Sequence, residues 1–305
     1  MKYLVTGANG FLGKHLCDYL DRHGIEHRDV VRSGHGKQFS TGDLTKFSNW
    51  KDLFAGVQII VHAAAKAHDM SKPQDLEKIY NSVNFEMTVK LAQQAKLHGA
   101  KKFIFISTIK VNGESTVDRP FTADDTPQPL DPYGVSKYRA EQAILKLNEP
   151  GVFEVTVIRP CLVYGAGVKA NFKSLINIAK KGIPLPFGLV NNKRSIVSVD
   201  NLIDLIMTCA NTPKSAGQVF LVSDGVDLSL PELIEAIAGS YDKKALMLPV
   251  PPLLMHLCFA LLGRRDFGQR LFSNLQVDIS KNKTVLGWEP PFSIAHALAK
   301  MTKGT

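Results

Sequence analysis

The N-terminal segment, residues 1–20, constrains the fold more than any other part of the chain. It reads MKYLVTGANGFLGKHLCDYL, in which a short apolar strand pattern leads into three glycines and then into apolar residues at helical spacing. A strand, a glycine turn and a helix in this order direct backbone N–H groups and a helix N-terminus at a phosphate. Gly7, Gly10 and Gly13 follow G-x-x-G-x-x-G spacing rather than the commoner G-x-G-x-x-G, and an ordinary glycine-rich turn is the alternative. Because the strand and the amphipathic helix are both present, we predict a dinucleotide-binding site.

The composition is that of an ordinary globular protein, with 305 residues of which 45% are hydrophobic and 21% charged. The formal net charge of +9 favours anionic partners, but lysine and arginine form no dense run, so we predict no nucleic-acid partner. The four cysteines are scattered without C-x-x-C spacing, which predicts reduced thiols and no metal site. Since no leader pattern precedes the first strand, we expect a cytoplasmic protein.

Strand and helix patterns alternate along the first half of the chain. Strands are predicted over residues 29–32, 58–62, 103–107 and 154–159. Helices are predicted over residues 72–98 and 132–147. Such alternation predicts an α/β fold with a doubly wound parallel sheet. Proline- and glycine-rich loops then take over, with one more strand pattern at residues 219–223. We therefore predict a nucleotide-binding domain over 1–160 and a smaller substrate-binding lobe over 161–305, with some chain returning to the sheet.

The end of the second predicted strand bears on the choice of cofactor. An NAD site commonly places Asp or Glu about 20 residues after the glycine turn, where it bonds the ribose 2′-OH. The strand end here reads DVVRSG, with Arg32 near that position, and a guanidinium suits a 2′-phosphate. A solvated surface arginine explains Arg32 equally well, so NAD and NADP both remain open. Asp43 and Leu44 follow the third strand, where they either edge the adenine or cap a helix.

The chemistry is predicted from one strand end and one helix start. The run FIFIS ends at Ser107, followed by Thr108, at the carboxyl edge where doubly wound sheets bind ligands. The motif PYGVSK places Tyr133 and Lys137 at i and i+4, on one face of a helix. An ammonium group and the cation of an oxidised nicotinamide lower the pKa of a nearby phenol, which then acts as a base. We predict Tyr133 as that base, with Thr108 bonding the substrate oxygen while hydride leaves.

These motifs resemble the extended short-chain dehydrogenase/reductase family of sugar-nucleotide epimerases, dehydratases and reductases. The resemblance covers nearly the whole chain and rests on TGANGFLG, GDL, HAAA, the Ser107-Thr108 pair, YGVSK and IRPCLVYG. It implies a Rossmann-like domain, bound NAD or NADP, a UDP-sugar substrate, a homodimer, and catalysis by Thr108, Tyr133 and Lys137. The positions that it implies for cofactor binding are Gly7, Gly10, Phe11, Leu12, Gly13, Arg32, Asp43, Leu44, Ala63, Ala64, Lys66, Asn84, Ser107, Tyr133, Lys137 and Pro160.

The resemblance also implies a substrate site. Asn171 opens a helix that resembles the uracil-covering segment, and Arg194 resembles the arginine that pairs with the diphosphate. Arg270 is a further diphosphate candidate, and Lys110 either lies beside the sugar or is merely solvated. Two departures stand out: Leu162 occupies a position where relatives often have Asn, and Asn112 one where they often have Tyr.

The family that these motifs resemble includes three reaction types. A dehydratase carries an Asp-Glu pair after the strand-end hydroxyl, and Ile109 and Lys110 at those positions cannot act as general acid and base. We expect a 4-ketoreductase that interconverts UDP-4-keto-6-deoxy-GlcNAc and UDP-N-acetylquinovosamine in surface-polysaccharide synthesis. A UDP-glucose or UDP-GlcNAc 4-epimerase is the alternative, and a non-catalytic dinucleotide-sensing protein is a remote one.

The most apolar stretch is LPVPPLLMHLCFALLG, residues 248–263. It is too short to span a bilayer. We predict a packed or substrate-covering helix, with weak peripheral membrane contact as the alternative because Arg264 and Arg265 follow it.

Overall fold

The structure is a computed structural model that describes residues 1–34, 36, 38–67, 73–168, 170–261, 263 and 265–303. For residues 73, 74, 170, 171, 265–267, 270 and 303 it describes the backbone alone. The strands are β1 (Lys2–Thr6), β2 (His27–Val31), β3 (Phe39–Ser40), β4 (Val57–His62), β5 (Lys102–Ile106), β6 (Glu154–Pro160), β7 (Leu162–Tyr164), β8 (Pro184–Leu185), β9 (Arg194–Ser198), β10 (Val219–Val222), β11 (Asp227–Leu228) and β12 (Leu246–Met247). The helices are α1 (Phe11–Arg22), α2 (Trp50–Phe54), α3 (Pro73–Tyr80), α4 (Met87–Leu97), α5 (Pro132–Leu145), α6 (Ala170–Lys181), α7 (Val199–Asn211), α8 (Leu230–Ser240), α9 (Pro252–Leu261), α10 (Arg265–Phe272) and α11 (Ile294–Lys303).

Seven strands form the central sheet, in the order β10-β6-β5-β4-β1-β2-β3, and every neighbouring pair is parallel. The chain leaves β1 toward β2 and β3, and then returns to the other side of β1 with β4, β5 and β6. The predicted doubly wound α/β fold is therefore confirmed. The change of direction between β1 and β4 opens a crevice at the carboxyl ends of these strands, where open sheets bind ligands.

Apolar side chains cover both faces of this sheet. One cluster joins the strands to α1 and α7, and a second joins them to α2, α4 and α5. A third cluster holds α6, α8 and α11 together in the C-terminal part of the chain. Since a strand with a helix on each side must bury both faces, the strands read as continuous apolar runs.

The observed elements differ from the predicted ones mainly at their ends. β2 begins at His27 rather than residue 29, and β5 ends at Ile106, so Ser107 and Thr108 lie just beyond it. The single helix predicted for residues 72–98 is α3, a π-helical turn (Asn81–Glu86) and α4 in succession. A π-turn of this kind often marks a functional site, because it redirects side chains within a helix.

The C-terminal half contributes to two places. β10 pairs with β6 in the central sheet, whereas β7, β9 and β11 form a small sheet and β8 pairs with β12. The division into residues 1–160 and 161–305 stays a prediction. Among the described residues, no helix is both long and apolar enough to cross a membrane.

Candidate active site

The glycine turn between β1 and α1 approaches the neighbouring backbone closely. Gly7 has φ +73, and a Cβ there would lie 2.9 Å from Cα of Ala64. A Cβ on Gly13 would lie 2.1 Å from the carbonyl oxygen of Gly7. Gly10 caps α1, and no side chain in the described part of the chain bonds the first N–H groups of that helix. The turn therefore fits the pyrophosphate of a dinucleotide, whose oxygens accept hydrogen bonds from such N–H groups.

The loop after β4 is held against this turn by a buried histidine. The Nδ1 of His62 lies 2.6 Å from Thr6 Oγ1, and its Nε2 lies 2.9 Å from Thr88 Oγ1. The N–H of Ala64 donates to the same Thr6 oxygen at 3.2 Å. Burial, followed by the charge of Lys137, lowers the pKa of His62 to about 3, so the ring is neutral at physiological pH. As a neutral ring, His62 bridges Thr6 of β1 and Thr88 of α4.

Asn84 lies buried on the π-turn, where all its polar atoms bond protein groups. Its Oδ1 accepts from the N–H of Lys66 at 2.8 Å, and its Nδ2 donates to the carbonyl oxygen of Lys66 at 3.0 Å. The same Nδ2 also donates to Ser136 Oγ at 3.1 Å. Asn84 thus fixes the loop that carries Lys66 to the helix that carries Ser136. Its predicted contact with the cofactor stays a prediction.

A cavity of about 320 Å³ lies between Arg32, Asp43 and the helical segment around Ser82. Asp43 caps the helical turn Leu44–Lys46, since its Oδ1 accepts from the N–H of Thr45 at 3.0 Å and from its hydroxyl at 2.8 Å. These hydrogen bonds lower the pKa of Asp43 and keep it ionised. The capping alternative for Asp43 is therefore confirmed, while its contact with adenine stays a prediction. Arg32 lines this cavity, and its contact with the adenosine ribose stays a prediction.

Tyr133 lies in the first turn of α5, which begins with a capping Asp and a proline. Asp131 accepts from the N–H of Gly134 at 2.7 Å, and Pro132 fits the first turn because its missing N–H needs no partner there. The ring of Tyr133 meets that of Tyr80 edge to face, with centroids 5.9 Å apart. Burial, with the charge of Asp131, raises the pKa of Tyr133 to about 12. The predicted lowering of this pKa, by Lys137 together with the cation of an oxidised nicotinamide, stays a prediction.

Lys137 is buried one turn further along α5. Its Nζ donates to the carbonyl oxygen of Ile106 at 2.7 Å and lies 3.9 Å from the ring centroid of Phe105. Burial lowers the pKa of Lys137 to about 7, against the opposing charge of Glu141. The bond to Ile106 fixes the ammonium group at the end of β5, directly before Ser107 and Thr108.

Behind Lys137 lies a buried ion pair that the sequence motifs did not reveal. Arg159 donates from Nη2 to Glu141 Oε2 at 2.6 Å and from Nε to Glu141 Oε1 at 3.0 Å. Ser107 Oγ donates to the same Glu141 carboxylate, and Arg159 Nη1 donates to Asn112 Oδ1 at 2.9 Å. Glu141 and Arg159 expose 1% and 3% of their surface, so each charge depends on the other. The network fastens α5 to the ends of β5 and β6.

Asn112, which departs from the Tyr expected from the resemblance, belongs to this network. Its side chain is buried, with Nδ2 donating to the carbonyl oxygen of Thr122 at 2.8 Å. The available signal for Glu141 was its position four residues after Lys137, on the same face of α5.

Thr108 and Lys110 lie in the helical turn that follows β5. Thr108 is partly exposed, and its Oγ1 accepts from the N–H of Lys110 at 3.3 Å. The ammonium group of Lys110 pairs with Glu114 at 3.2 Å and with Asp131, the residue that caps α5. The interpretation of Lys110 as a merely solvated residue is therefore wrong. Its contact with the sugar stays a prediction.

The predicted substrate residues of the C-terminal part are only partly described. Arg194 begins β9 and donates from Nη1 to the carbonyl oxygen of Ser273 at 3.0 Å. Burial lowers the pKa of the Arg194 guanidinium from its usual value. The side chains of Asn171 and Arg270 lie outside the described residues, so their roles stay predictions. Leu162 lies on β7 and packs against the third apolar cluster.

One group of potential metal ligands lies at the back of the sheet, on α1 and β2. Ligand atoms of Cys17, His27 and Asp29 lie within 4.8 Å of one another, a grouping that sequence spacing does not show. The imidazole of His27 has neighbours within the fold, since its Nε2 lies 3.2 Å from Asp29 Oδ1 and its Nδ1 lies 2.9 Å from the carbonyl oxygen of Ile25. Burial and Asp29 together raise the pKa of the Cys17 thiol.

Comparison with known proteins agrees with this geometry. Residues 3–223 match the model of the NAD dependent epimerase/dehydratase family. The chain is 45% identical to a UDP-glucose 4-epimerase of Vibrio cholerae over 94% of its own length and 90% of that protein. It is 26% identical to an N-acetyl-α-D-glucosaminyl-diphospho-ditrans,octacis-undecaprenol 4-epimerase of Escherichia coli O157:H7, covering 86% and 80% of the two chains. The solved UDP-glucose 4-epimerase of Thermotoga maritima superposes with a TM-score of 0.77 at 22% identity, over 100% of this chain and 98% of that one, which shows the shared fold.

Proposed function

The chain belongs to the NAD-dependent epimerase/dehydratase family, and on that premise we propose that it is a 4-epimerase of a UDP-hexose. The observation that carries this proposal is the position of Lys137. Its Nζ bonds the carbonyl oxygen of Ile106, two residues before Thr108, and it shares a helix face with Tyr133. Base, ammonium and strand-end hydroxyl thus belong to one edge of the sheet, next to the glycine turn.

In the proposed reaction, Tyr133 removes the proton from the C4 hydroxyl, and Thr108 holds the same oxygen by a hydrogen bond. The cofactor supplies the acceptor for the C4 hydride and, when oxidised, a positive charge. Because burial raises the pKa of Tyr133 to about 12, the phenolate depends on nearby positive charge. Lys137 supplies that charge, and Glu141 opposes the loss of its proton. Inversion at C4 would follow if the 4-keto sugar turned before hydride came back to its opposite face, with Tyr133 returning the proton to the C4 oxygen.

The two epimerase relatives support this reaction over the ketoreductase expected from sequence. One observation favours the ketoreductase as a second candidate, which is the cavity lined by Arg32. A guanidinium there suits a 2′-phosphate, and a reductase that exchanges NADPH at each turnover would use it.

The homodimer that the resemblance implies also stays a prediction, and sedimentation velocity checks it.

Product analysis separates these candidates. The purified chain is incubated with UDP-glucose, UDP-GlcNAc, UDP-4-keto-6-deoxy-GlcNAc or GlcNAc-diphospho-undecaprenol, with and without NADH or NADPH, and the products are identified by NMR. We expect interconversion of a UDP-hexose with its C4 epimer without added reduced cofactor. Stoichiometric loss of NADPH with the keto sugar alone would establish the reductase. Conversion of the lipid-linked sugar alone would exclude a UDP-hexose as the substrate.

A further inference from the structure

Helix α9 presents a row of leucines to solvent. Leu253 and Leu261 are 81% and 80% exposed, and Leu254 and Leu257 between them are also exposed. Met255 is buried on the other side of the helix, which packs on the third apolar cluster. The helix predicted from sequence is thus packed along one side only. A surface helix of a globular protein normally carries polar residues on its outer side, and this one carries leucines.

The strand pair β8–β12 and the residues next to it expose further apolar side chains, and only residues 248–251 separate β12 from α9. Leu246 pairs with Pro184, and the N–H of Leu248 donates to the carbonyl oxygen of Leu185 at 2.7 Å. The exposed large apolar side chains of residues 183–189, of residues 246–248 and of α9 are Ile183, Leu189, Leu246, Leu248, Leu253, Leu254, Leu257 and Leu261. These eight, which we call the apolar face, are half of the large hydrophobic side chains that the described part of the chain exposes. A concentration of this kind marks an interaction surface.

Lysines border the apolar face where β8 and β12 begin. Lys180, Lys181, Lys243 and Lys244 are exposed, and the Nζ of Lys180 lies 4.0 Å from the ring centroid of Tyr241. Gly182 lies beside the carbonyl group of Lys244, which brings the two lysine pairs together. Residues 155–199 contain no Asp or Glu, and residues 245–263 contain no charged residue at all. The only acidic residue beside these lysines in the sequence is Asp242.

We propose that the apolar face docks on an anionic phospholipid bilayer, with α9 lying in the plane of the membrane and the four lysines at the headgroups. Apolar residues with bordering lysines bind such surfaces by burying area below the headgroups and by attracting anionic lipids. A second copy of the chain fits less well: a two-fold contact uses the same patch on both copies, and the segments that form the apolar face offer the lysines no Asp or Glu. This docking is independent of the reaction at C4.

Cys258 makes the docking measurable. It lies exposed on α9, whereas Cys17, Cys161 and Cys209 are buried, so a thiol-reactive fluorophore labels α9 selectively. The full-length labelled chain is mixed with vesicles of phosphatidylcholine, or of phosphatidylcholine with about one-third phosphatidylglycerol, which adds negative surface charge. We expect a blue shift and brighter emission with the anionic vesicles only, and sedimentation of the chain with them. Raised salt weakens this binding because it screens the lysines.

Two pairs of matched variants separate the apolar and charged contributions. Leu253→Gln with Leu257→Gln should weaken vesicle binding at least about tenfold, because two apolar side chains that would be buried in the bilayer are lost. The control, Val117→Gln with Val152→Gln, changes two exposed apolar residues elsewhere and should leave binding unchanged.

The charged pair is Lys243→Glu with Lys244→Glu, which should abolish the preference for anionic vesicles. Its control is Lys101→Glu with Lys214→Glu, at two exposed lysines away from the apolar face. Equal binding by the leucine variant and wild type, or no binding of wild type to anionic vesicles, would overturn the proposal. If the leucine variant instead splits a wild-type oligomer that ignores vesicles, the face is a contact between copies, and the proposal is wrong.

Discussion

Helix α5 buries charges, whereas helix α9 exposes leucines. On α5, Lys137 and Glu141 are almost completely buried, and each has defined partners at the ends of β5 and β6. On α9, Leu253 and Leu261 have four-fifths of their surface in solvent. Both arrangements cost free energy in an isolated globular domain, because buried charges lose hydration and exposed leucines keep water ordered around them. Departures of this kind are expected at functional sites, and the two helices differ in what completes them: partners within the chain for α5, and an external surface for α9.

The largest effect is expected from removing the proposed base on α5. Tyr133→Phe should lower kcat about 10³-fold, which is within the range for loss of a general base. The Tm should not change, because the phenyl ring keeps its edge-to-face contact with Tyr80. Steady-state kinetics with the preferred UDP-hexose, beside thermal unfolding, measure both quantities. A loss of less than tenfold in a folded variant contradicts the role of Tyr133.

Breaking the buried ion pair should destabilise the chain far more than breaking a surface pair. Glu141→Ala leaves the Arg159 guanidinium buried without its counter-charge, and we expect a loss of about 3 kcal/mol in the free energy of unfolding. The control is Glu289→Ala, which removes the partner of Lys283 in an exposed pair and should cost less than about 1 kcal/mol. Denaturant unfolding measures both losses, and equal values would show that the buried network has no special role.

The buried ammonium group should give stability a characteristic pH dependence. The pKa of Lys137 falls from 10.5 to about 7 on folding, so between these values the unfolded chain binds more protons than the folded one. The cost of burying Lys137 is therefore complete below about pH 7 and declines as pH rises toward 10. As the pH rises through this window, the free energy of unfolding of the wild type should increase relative to that of Lys137→Met by at most about 1.4 kcal/mol per pH unit. Denaturant unfolding at pH 7, 8 and 9 tests this, and a constant difference contradicts it.

Cofactor choice tests the other end of the nucleotide site. If Arg32 faces a 2′-phosphate, Arg32→Ala should weaken NADP binding about tenfold and leave NAD binding nearly unchanged. Arg119→Ala, at an exposed arginine paired with Asp125, is the control. Isothermal titration with both cofactors measures the ratio, and parallel changes in the two affinities would return Arg32 to the surface interpretation.

The smallest effect is expected on stability, from replacing an exposed leucine of α9. Leu253→Gln should change the free energy of unfolding by less than about 0.5 kcal/mol, because its side chain gains little burial on folding. Leu4→Ala, at a fully buried position of β1, should cost about 2–5 kcal/mol. A large loss from Leu253→Gln would mean that this leucine is buried in solution by another part of the assembly.

The sequence predicted the parts of this structure that depend on neighbouring residues. The glycine turn and the motif around Tyr133 and Lys137 are local patterns, so their helices and strands followed from spacing alone. The ion pair of Glu141 and Arg159 joins positions 18 residues apart, and Asn112 is 47 residues from Arg159. Such contacts depend on which strands become neighbours, and spacing does not show that.

For a similar reason, spacing could not predict that the pKa of Tyr133 is raised. Its direction is set by burial and by Asp131, and burial is a property of the completed fold. Asn84 shows the same limit, because its bonds to Lys66 and Ser136 appear only once the π-turn packs on α5.

The proposed epimerisation is redox chemistry at C4 with return of the same hydride. It is tested most directly with UDP-glucose and UDP-GlcNAc that carry deuterium at C4, incubated with the purified chain without added cofactor. We predict that the C4 epimer forms and keeps deuterium at C4, as seen by NMR and mass spectrometry. Protium at C4 of the epimer, or no epimer from either sugar, would contradict the account.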